Sequence, residues 1–123
     1  MGFFKSLMSV ISTDGKTGTP FKLDKNHTVY YKGKGVTNED AAHVGGYYRG
    51  YGLFTDTNQS DIQIFSENAN DPIQVGHIIA GKSVSPESET VYKDAASGLQ
   101  ELFPGRVITV CLMDTKLNIL KKL

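Results

Sequence analysis

The sequence predicts an α+β domain, a two-layer sandwich of the ferredoxin-like type with two helices on one face of an antiparallel sheet. Between Thr28 and Met113, segments with a two-residue apolar period alternate with segments whose apolar residues recur every three or four positions. Their order is strand, helix, strand, strand, helix, strand. With right-handed crossovers, this order puts the first and third strands in the centre of the sheet.

Length and composition set the limits of this prediction. The chain has 123 residues, which is the size of one domain, with 39% hydrophobic and 21% charged residues. Acidic and basic residues are equal in number, so the formal net charge is zero. Because nucleic-acid binding needs an excess of cations to neutralise phosphates, we consider single-stranded nucleic-acid binding a minor alternative.

The first residues predict a short amphipathic helix, residues 1–12, ahead of a flexible linker, residues 13–20, and a single α+β domain, residues 21–123. Five apolar residues of the helix recur at helical spacing: Phe3, Phe4, Leu7, Met8 and Ile11. The segment is too short to span a membrane, and it does not have the pattern of a secretion signal. Since Lys5 is its one basic residue, docking of residues 2–12 on a membrane surface is not favoured.

The first half of the domain contains a short edge strand over residues 21–24, a strand at about residues 27–32 and a helix at about residues 38–51. Thr37 or Asn38 can cap this helix, and Gly52 is suited to end it. Its expected core face is formed by Ala41, Val44, Gly45 and Tyr48. Gly46 and Gly50 weaken the helix, because glycine is unfavourable in a helix interior.

The second half begins with a hairpin of strands at about residues 61–66 and 73–80. A helix follows, which starts at Ser85 and Pro86 and is ended by Phe103, Pro104 and Gly105. The last main strand, about residues 106–113, is almost continuously apolar, so we expect both of its sides to be covered. The tail, residues 116–123, adds a strand or a second amphipathic piece.

No residue pattern indicates catalysis, a cofactor or a metal ion, and we expect a protein that is not an enzyme. Cys111 is the single cysteine and lies in an apolar run, which favours packing and a reducing, cytoplasmic location. His27, His43 and His77 are scattered without the spacing of metal ligands. Gly33, Lys34 and Gly35 are better explained by a turn than by a phosphate loop.

The strongest functional signal is a group of side chains on the glycine-rich helix. His43 and Tyr47 lie outside its core stripe, and tyrosine beside arginine is typical of interface hot spots. The alternative is that these rings shield the backbone of the glycine-rich helix from water. The predicted interface comprises His43, Tyr47, Arg49 and Tyr51, together with Phe3, Phe4, Leu7 and Met8.

The sequence therefore predicts a small protein-interaction or self-association module, with a homodimer or a protein partner. An apolar last strand supports this, because whichever register holds, it places apolar side chains away from the two helices. The N-terminal helix, the tail or a second copy could cover them. The main alternative is a ligand-sensing regulatory domain that binds a small metabolite or anion at Gly33, Gly35 and the start of the following helix.

Overall fold

A six-stranded mixed sheet with two helices forms the described part of the chain. The computed structural model describes residues 18–54 and 60–123. The strands are β1 Thr19–Asp24, β2 His27–Lys32, β3 Ser60–Phe65, β4 Ile73–Ile78, β5 Ile108–Met113 and β6 Ile119–Lys122. The helices are α1 Asn38–Tyr51 and α2 Pro86–Gly98, and a 3-10 turn, Leu99–Glu101, follows α2. The predicted N-terminal helix lies outside the described residues, and β1 begins inside the predicted linker.

The ferredoxin-like, all-antiparallel sheet is a wrong prediction, although the expected order of helices and strands is present. The strands lie in the order β1-β2-β3-β4-β5-β6. The β2–β3 and β4–β5 pairs are parallel, and the other three pairs are antiparallel. Each helix thus connects two strands that are direct neighbours. In a ferredoxin-like sheet another strand lies between them.

The two outer strands explain the difference. A strand has only two edges, and the ferredoxin-like order requires the third and fourth main strands to flank the first. Here β1 forms a hairpin with β2 and occupies one of its edges, with Phe21 opposite Val29. The tail adds β6 to the outer edge of β5, with Cys111 opposite Lys122. Both β2 and β5 therefore have one edge left, which excludes the ferredoxin-like order, because that order needs β2 to pair with both β4 and β5.

Both helices lie on one face of the sheet. Gly45 of α1 packs near Val29, and Tyr92 of α2 stacks on His77, while Ile62 of β3 pairs with both Val29 and His77. The two strand–helix–strand crossovers, β2 to β3 and β4 to β5, move in the same direction across the sheet, but β2 and β3 run antiparallel to β4 and β5. When the strand direction is reversed and the helix stays on the same face, a right-handed crossover becomes left-handed. Only one crossover is therefore right-handed, and the prediction of two is wrong.

The core lies between the sheet and the two helices. Its buried side chains are Val29, Val36, Ala41, Val44, Tyr48, Phe54, Ile62, Ile64, Ile73, Val75, Ala95, Ala96, Leu99 and Phe103. The predicted core face of α1 is confirmed, and so is the buried position of Cys111. Within residues 18–54 and 60–123, neither helix has the length and apolar character needed to cross a membrane.

Arg106 donates hydrogen bonds to the loops at one end of the sheet, where β2 and β3 end and β4 and β5 begin. Its Nη1 donates to the Gly35 carbonyl at 2.8 Å, and its Nη2 donates to the Asp71 carbonyl and to Ser66 Oγ, both at 2.7 Å. A weaker bond at 3.2 Å reaches the Asn68 carbonyl. The planar guanidinium suits this task because its donors point in several fixed directions.

Two glycines allow the loop after β2 to approach the turn between β3 and β4. Gly33 has a φ of +95°, and a Cβ there would overlap the Ser66 carbonyl. A Cβ at Gly35 would overlap the Asn68 carbonyl and the Ser66 hydroxyl. The Gly35 amide donates to the Ser66 carbonyl at 3.0 Å. The predicted turn is confirmed, and it is packed against the same residues that accept from Arg106.

Replacement of Arg106 by lysine should destabilise the domain, because an ammonium cannot donate in so many directions at once. We expect Arg106→Lys to lower the free energy of unfolding by roughly 2 to 3 kcal/mol in urea titrations. The chain's other arginine gives a matched control: Arg49→Lys should cost less than about 1 kcal/mol, since its ion pair with Asp24 is at the surface. Equal effects of the two substitutions would contradict this role of Arg106.

Glycine-to-alanine substitutions should have opposite effects at two positions. At Gly46 no heavy atom lies within 4 Å of an added Cβ, so Gly46→Ala should stabilise the helix by about 0.5 to 1 kcal/mol. At Gly35 the added Cβ meets backbone, and Gly35→Ala should destabilise by roughly 1 to 3 kcal/mol. Thermal unfolding midpoints measure both. A destabilised Gly46→Ala variant would show that this helix surface is not open.

Candidate functional site

The candidate interaction surface is built on α1, whose two ends are fixed by local bonds. Thr37 caps the N-terminus: its Oγ1 accepts from the Asp40 amide at 3.2 Å, and the Asp40 carboxylate accepts from the Thr37 amide at 2.9 Å. Gly52 ends the helix in the left-handed conformation, and its amide donates to the carbonyls of Tyr48 and Arg49. The side chains between these caps are therefore presented on a defined backbone.

Tyr47 and Tyr51 form an aromatic pair on the flank of α1 that faces α2. Their ring centroids are 5.9 Å apart, and Tyr51 is 47% exposed. The Tyr47 hydroxyl reaches Gly98 of α2 so closely that a Cβ at Gly98 would overlap it. Partial burial, with Tyr51 and Glu101 nearby, raises the pKa of Tyr47 above its ordinary value. Tyr47 thus packs between the two helices, and Tyr51 extends the aromatic surface toward solvent.

The other predicted interface residues are distributed differently. His43 is exposed one turn before Tyr47. Arg49 lies about 200° around the helix from both tyrosines, because successive residues are separated by about 100°. It makes an ion pair with Asp24, whose Oδ1 is also 2.8 Å from His27 Nδ1. The structure therefore brings Tyr47 and Tyr51 together, with His43 beside them, and places Arg49 against β1.

The four predicted residues of the N-terminal segment, Phe3, Phe4, Leu7 and Met8, lie outside the described residues. Their contribution to an interface stays a prediction. The exposed large apolar side chains of the described surface are Tyr51, Val91, Leu102, Val107 and Ile119.

A row of rings, all buried except the half-buried Tyr92, crosses the helix-covered face of the sheet. His27 stacks on Phe54 at 4.6 Å, Phe54 packs edge-on against Tyr48 at 5.6 Å, and His77 stacks on Tyr92 at 4.4 Å. Tyr48 and His77 complete the row at 5.6 Å. This row connects the first hairpin, both helices and β4. No local sequence pattern indicated it, because its members are distant in the chain.

Burial controls the protonation of His77. The side chain is 3% exposed, and desolvation lowers its pKa to about 4. Its Nε2 lies 3.4 Å from the Tyr48 hydroxyl, whose own pKa is raised strongly by burial. Near neutral pH the pair consists of an uncharged imidazole and an uncharged phenol. It can share a hydrogen bond in the core.

The loop proposed as an anion site uses its amides internally. The Lys34 amide donates to the Glu67 carbonyl at 3.2 Å, and the Gly35 amide donates to the Ser66 carbonyl at 3.0 Å. The Asp40 amide is bonded to the Thr37 side chain. Three donors that an anion would need are therefore occupied by protein groups. In residues 18–54 and 60–123, no three or more His, Cys, Asp or Glu side chains are grouped to hold a metal ion.

The apolar side chains that β5 directs away from the helices are largely covered. Cys111 is 2% exposed and Met113 is 4% exposed, and the Met113 thioether lies over Gly76, where a Cβ would displace it. Burial raises the pKa of the Cys111 thiol, although nearby Lys122 opposes this shift. Val107, which precedes β5, is 61% exposed. On this side of β5, the large apolar patch expected from the sequence is thus reduced to Val107 in the described structure.

Comparisons of the chain with models of protein families, with curated proteins and with solved structures found no match.

Protonation of His77 should destabilise the fold in acid. The folded-state pKa of about 4 is below the ordinary value of 6.5, so the unfolded chain binds a proton first as the pH falls. The stability that depends on an uncharged His77 is fully present above pH 6.5 and is lost progressively between pH 6.5 and 4. The free energy of unfolding falls by roughly 3 kcal/mol over this range by linkage.

Urea unfolding at several pH values checks this prediction. His77→Leu should remove that part of the pH dependence, whereas Leu99→Ala, a core variant without a titrating group, should keep the wild-type slope. Parallel pH profiles for the wild type and His77→Leu would contradict the assignment.

Proposed function

We propose that this domain is a non-enzymatic protein-interaction module that binds a protein partner or a second copy of itself through α1. The pair formed by exposed Tyr51 and half-buried Tyr47, with His43 beside it, carries the proposal. Tyrosine provides a large contact area with few rotatable bonds and a hydroxyl that tolerates water, and it is enriched in interface hot spots. Tyr51 is 47% exposed, so nearly half of its surface remains available after packing on Tyr47.

The rigidity of this surface supports a binding role. Tyr47 is held against Gly98 on one flank of α1, and Arg49 is paired with Asp24 on the other. Both helix ends are capped. A surface that is ordered before binding loses less conformational entropy when a partner docks. We therefore place the centre of the interface on the tyrosine flank, with Arg49 acting on the orientation of α1.

The cytoplasm is the proposed compartment. The chain has a single cysteine, and that thiol is buried, which fits a reducing environment. Residues 3, 4, 7 and 8 are proposed to add apolar contacts to the same assembly. Docking on a membrane surface is not part of the proposal.

Truncation of Tyr51 should weaken association without unfolding the domain. We expect Tyr51→Ala to raise the dissociation constant of the dimer or partner complex about tenfold or more, as for a hot-spot residue. Sedimentation equilibrium over a range of concentrations measures self-association, and the unfolding free energy should change by less than about 1 kcal/mol.

Ile119→Ala is the matched control, because Ile119 is 46% exposed on β6 and lies away from α1. The proposal predicts that this variant associates as the wild type does. A strictly monomeric wild type that captures no protein partner through α1 would overturn it, and so would equal effects of the two substitutions.

A further inference from the structure

The groove between α1 and α2 is lined by aromatic and apolar side chains. The Tyr47 hydroxyl lies against Gly98 at the end of α2, whereas Leu53, just after α1, shares a cavity with the first turns of α2. The two helices are therefore antiparallel, and the groove follows α2 for about three helical turns. Tyr51 on one wall is 47% exposed, and Val91 on the other is 41% exposed.

A cavity of about 190 Å³ lies in this groove beside the start of α2. Leu53, Val91 and Tyr92 give it apolar walls, and Glu87 and Ser88 complete its border. Sites for small molecules usually have volumes of about 300–1,000 Å³, so this cavity suits a single side chain better than a metabolite. It thus provides a place for one apolar anchor residue of a bound protein.

Acidic side chains follow the solvent side of the groove. Glu87 borders the cavity, and Glu101 lies near enough to Tyr47 to contribute to the raised pKa of that phenol. Asp94 follows Glu87 by seven residues, which gives it nearly the same direction on α2. All three carboxylates are exposed, and they are called the groove acids below.

The basic side chains near the two helices do not offset these charges. Arg49 of α1 pairs with a carboxylate of β1, and Lys93 of α2 borders a cavity against β5. Lys82, in the loop before α2, does not border the groove cavity. On the tyrosine flank of α1, His43 can become cationic, but Asp40 adds a further carboxylate. The part of the groove formed by the two helices is therefore net negative.

This charge makes a second copy of the chain a poor occupant of the groove. In a two-fold symmetric contact the same surface meets itself, so a net negative groove would face a net negative groove. Like charges placed opposite one another across an interface are unfavourable. The groove instead favours a partner that brings cations.

An α-helix is the form of partner that fits between α1 and α2. The main-chain groups of both helices are bonded within the helices and at their caps, so they offer no ladder of donors and acceptors to an extended strand. An amphipathic helix binds a groove through side chains that recur every three or four residues. Its affinity therefore comes from side-chain contacts, which the exposed Tyr51 and Val91 supply here.

We propose that the groove between α1 and α2 binds a basic amphipathic helix of a partner protein. An apolar anchor of that helix enters the cavity beside Leu53, and its lysines or arginines meet the groove acids. The inference rests on the proposed function, because the pair of Tyr47 and Tyr51 forms one wall of the groove. It adds the chemical class of the partner.

The experiment is a titration of the full chain with helical peptides, followed through amide chemical shifts. Each peptide has one apolar face with a leucine, methionine or phenylalanine anchor, and its flanking residues are all lysine, all glutamine or all glutamate. We expect saturable shifts centred on Val91 and Tyr51. The lysine peptides should bind roughly five- to tenfold more tightly than the glutamine peptides, and the glutamate peptides should be weakest. Added salt should reduce these differences.

Two double substitutions with the same change in charge form a matched pair. E87Q with E101Q removes two of the three groove acids, and it should reduce the preference for lysine over glutamine peptides to about twofold. E67Q with E89Q neutralises acids elsewhere, because Glu67 follows β3 and Glu89 pairs with Lys121 of β6. This control should keep the wild-type preference.

Equal affinity of the lysine and glutamine peptides would overturn the inference, and so would the absence of saturable shifts with every peptide. Shifts at Val91 that depend on protein concentration alone would overturn it as well, because they would assign the groove to a second copy of the chain. The proposed function fails by a different measurement, the sedimentation comparison of Tyr51→Ala with Ile119→Ala, so the two failures are distinguishable.

Discussion

Arg106 places a fixed positive charge among the carbonyl oxygens of the loops at one end of the sheet. The guanidinium is stabilised by hydrogen bonds to backbone carbonyls and to Ser66, which is itself buried, so the loops must keep the positions that satisfy it. Gly33 and Gly35 have no side chain because the loop after β2 must come this close. The start of α1 is thereby fixed relative to the β3–β4 turn, and the cap at Thr37 begins the helix from there.

The other end of the sheet is joined by rings. The contacts from His27 through Phe54, Tyr48 and His77 to Tyr92 connect the two strand–helix–strand units across the antiparallel β3–β4 pair. The Arg106 guanidinium at one end of the sheet and the row of rings at the other link the two strand–helix–strand units, whose crossovers have opposite hands. Exposed Tyr51 therefore belongs to a helix held at both ends, and such order before binding supports the proposed interaction surface.

Local signals predicted α1 well and the sheet poorly. The bounds of α1 followed from Thr37, the first-turn acids and Gly52, all of which act within one helical turn. Strand order depends on which edges remain free, and β1 and the tail decided this through pairings that no residue pattern specifies. The site shows the same division: the exposure of His43 followed from helical spacing, whereas the Tyr47–Gly98 contact joins residues far apart in sequence. Arg106, after Pro104 and Gly105, has the sequence context of a solvated turn.

We infer that Arg106 makes the loops at its end of the sheet part of the cooperative core. Native-state hydrogen exchange can follow this at two amides: Gly35, which donates to Ser66, and Ser66, which donates to Lys32. We expect both amides to exchange only through global unfolding, with protection equal to that of the β3 and β4 amides, and we expect Arg106→Lys to let them exchange by local opening. Rapid local exchange of Gly35 and Ser66 in the wild type, with the central strands still protected, would contradict it.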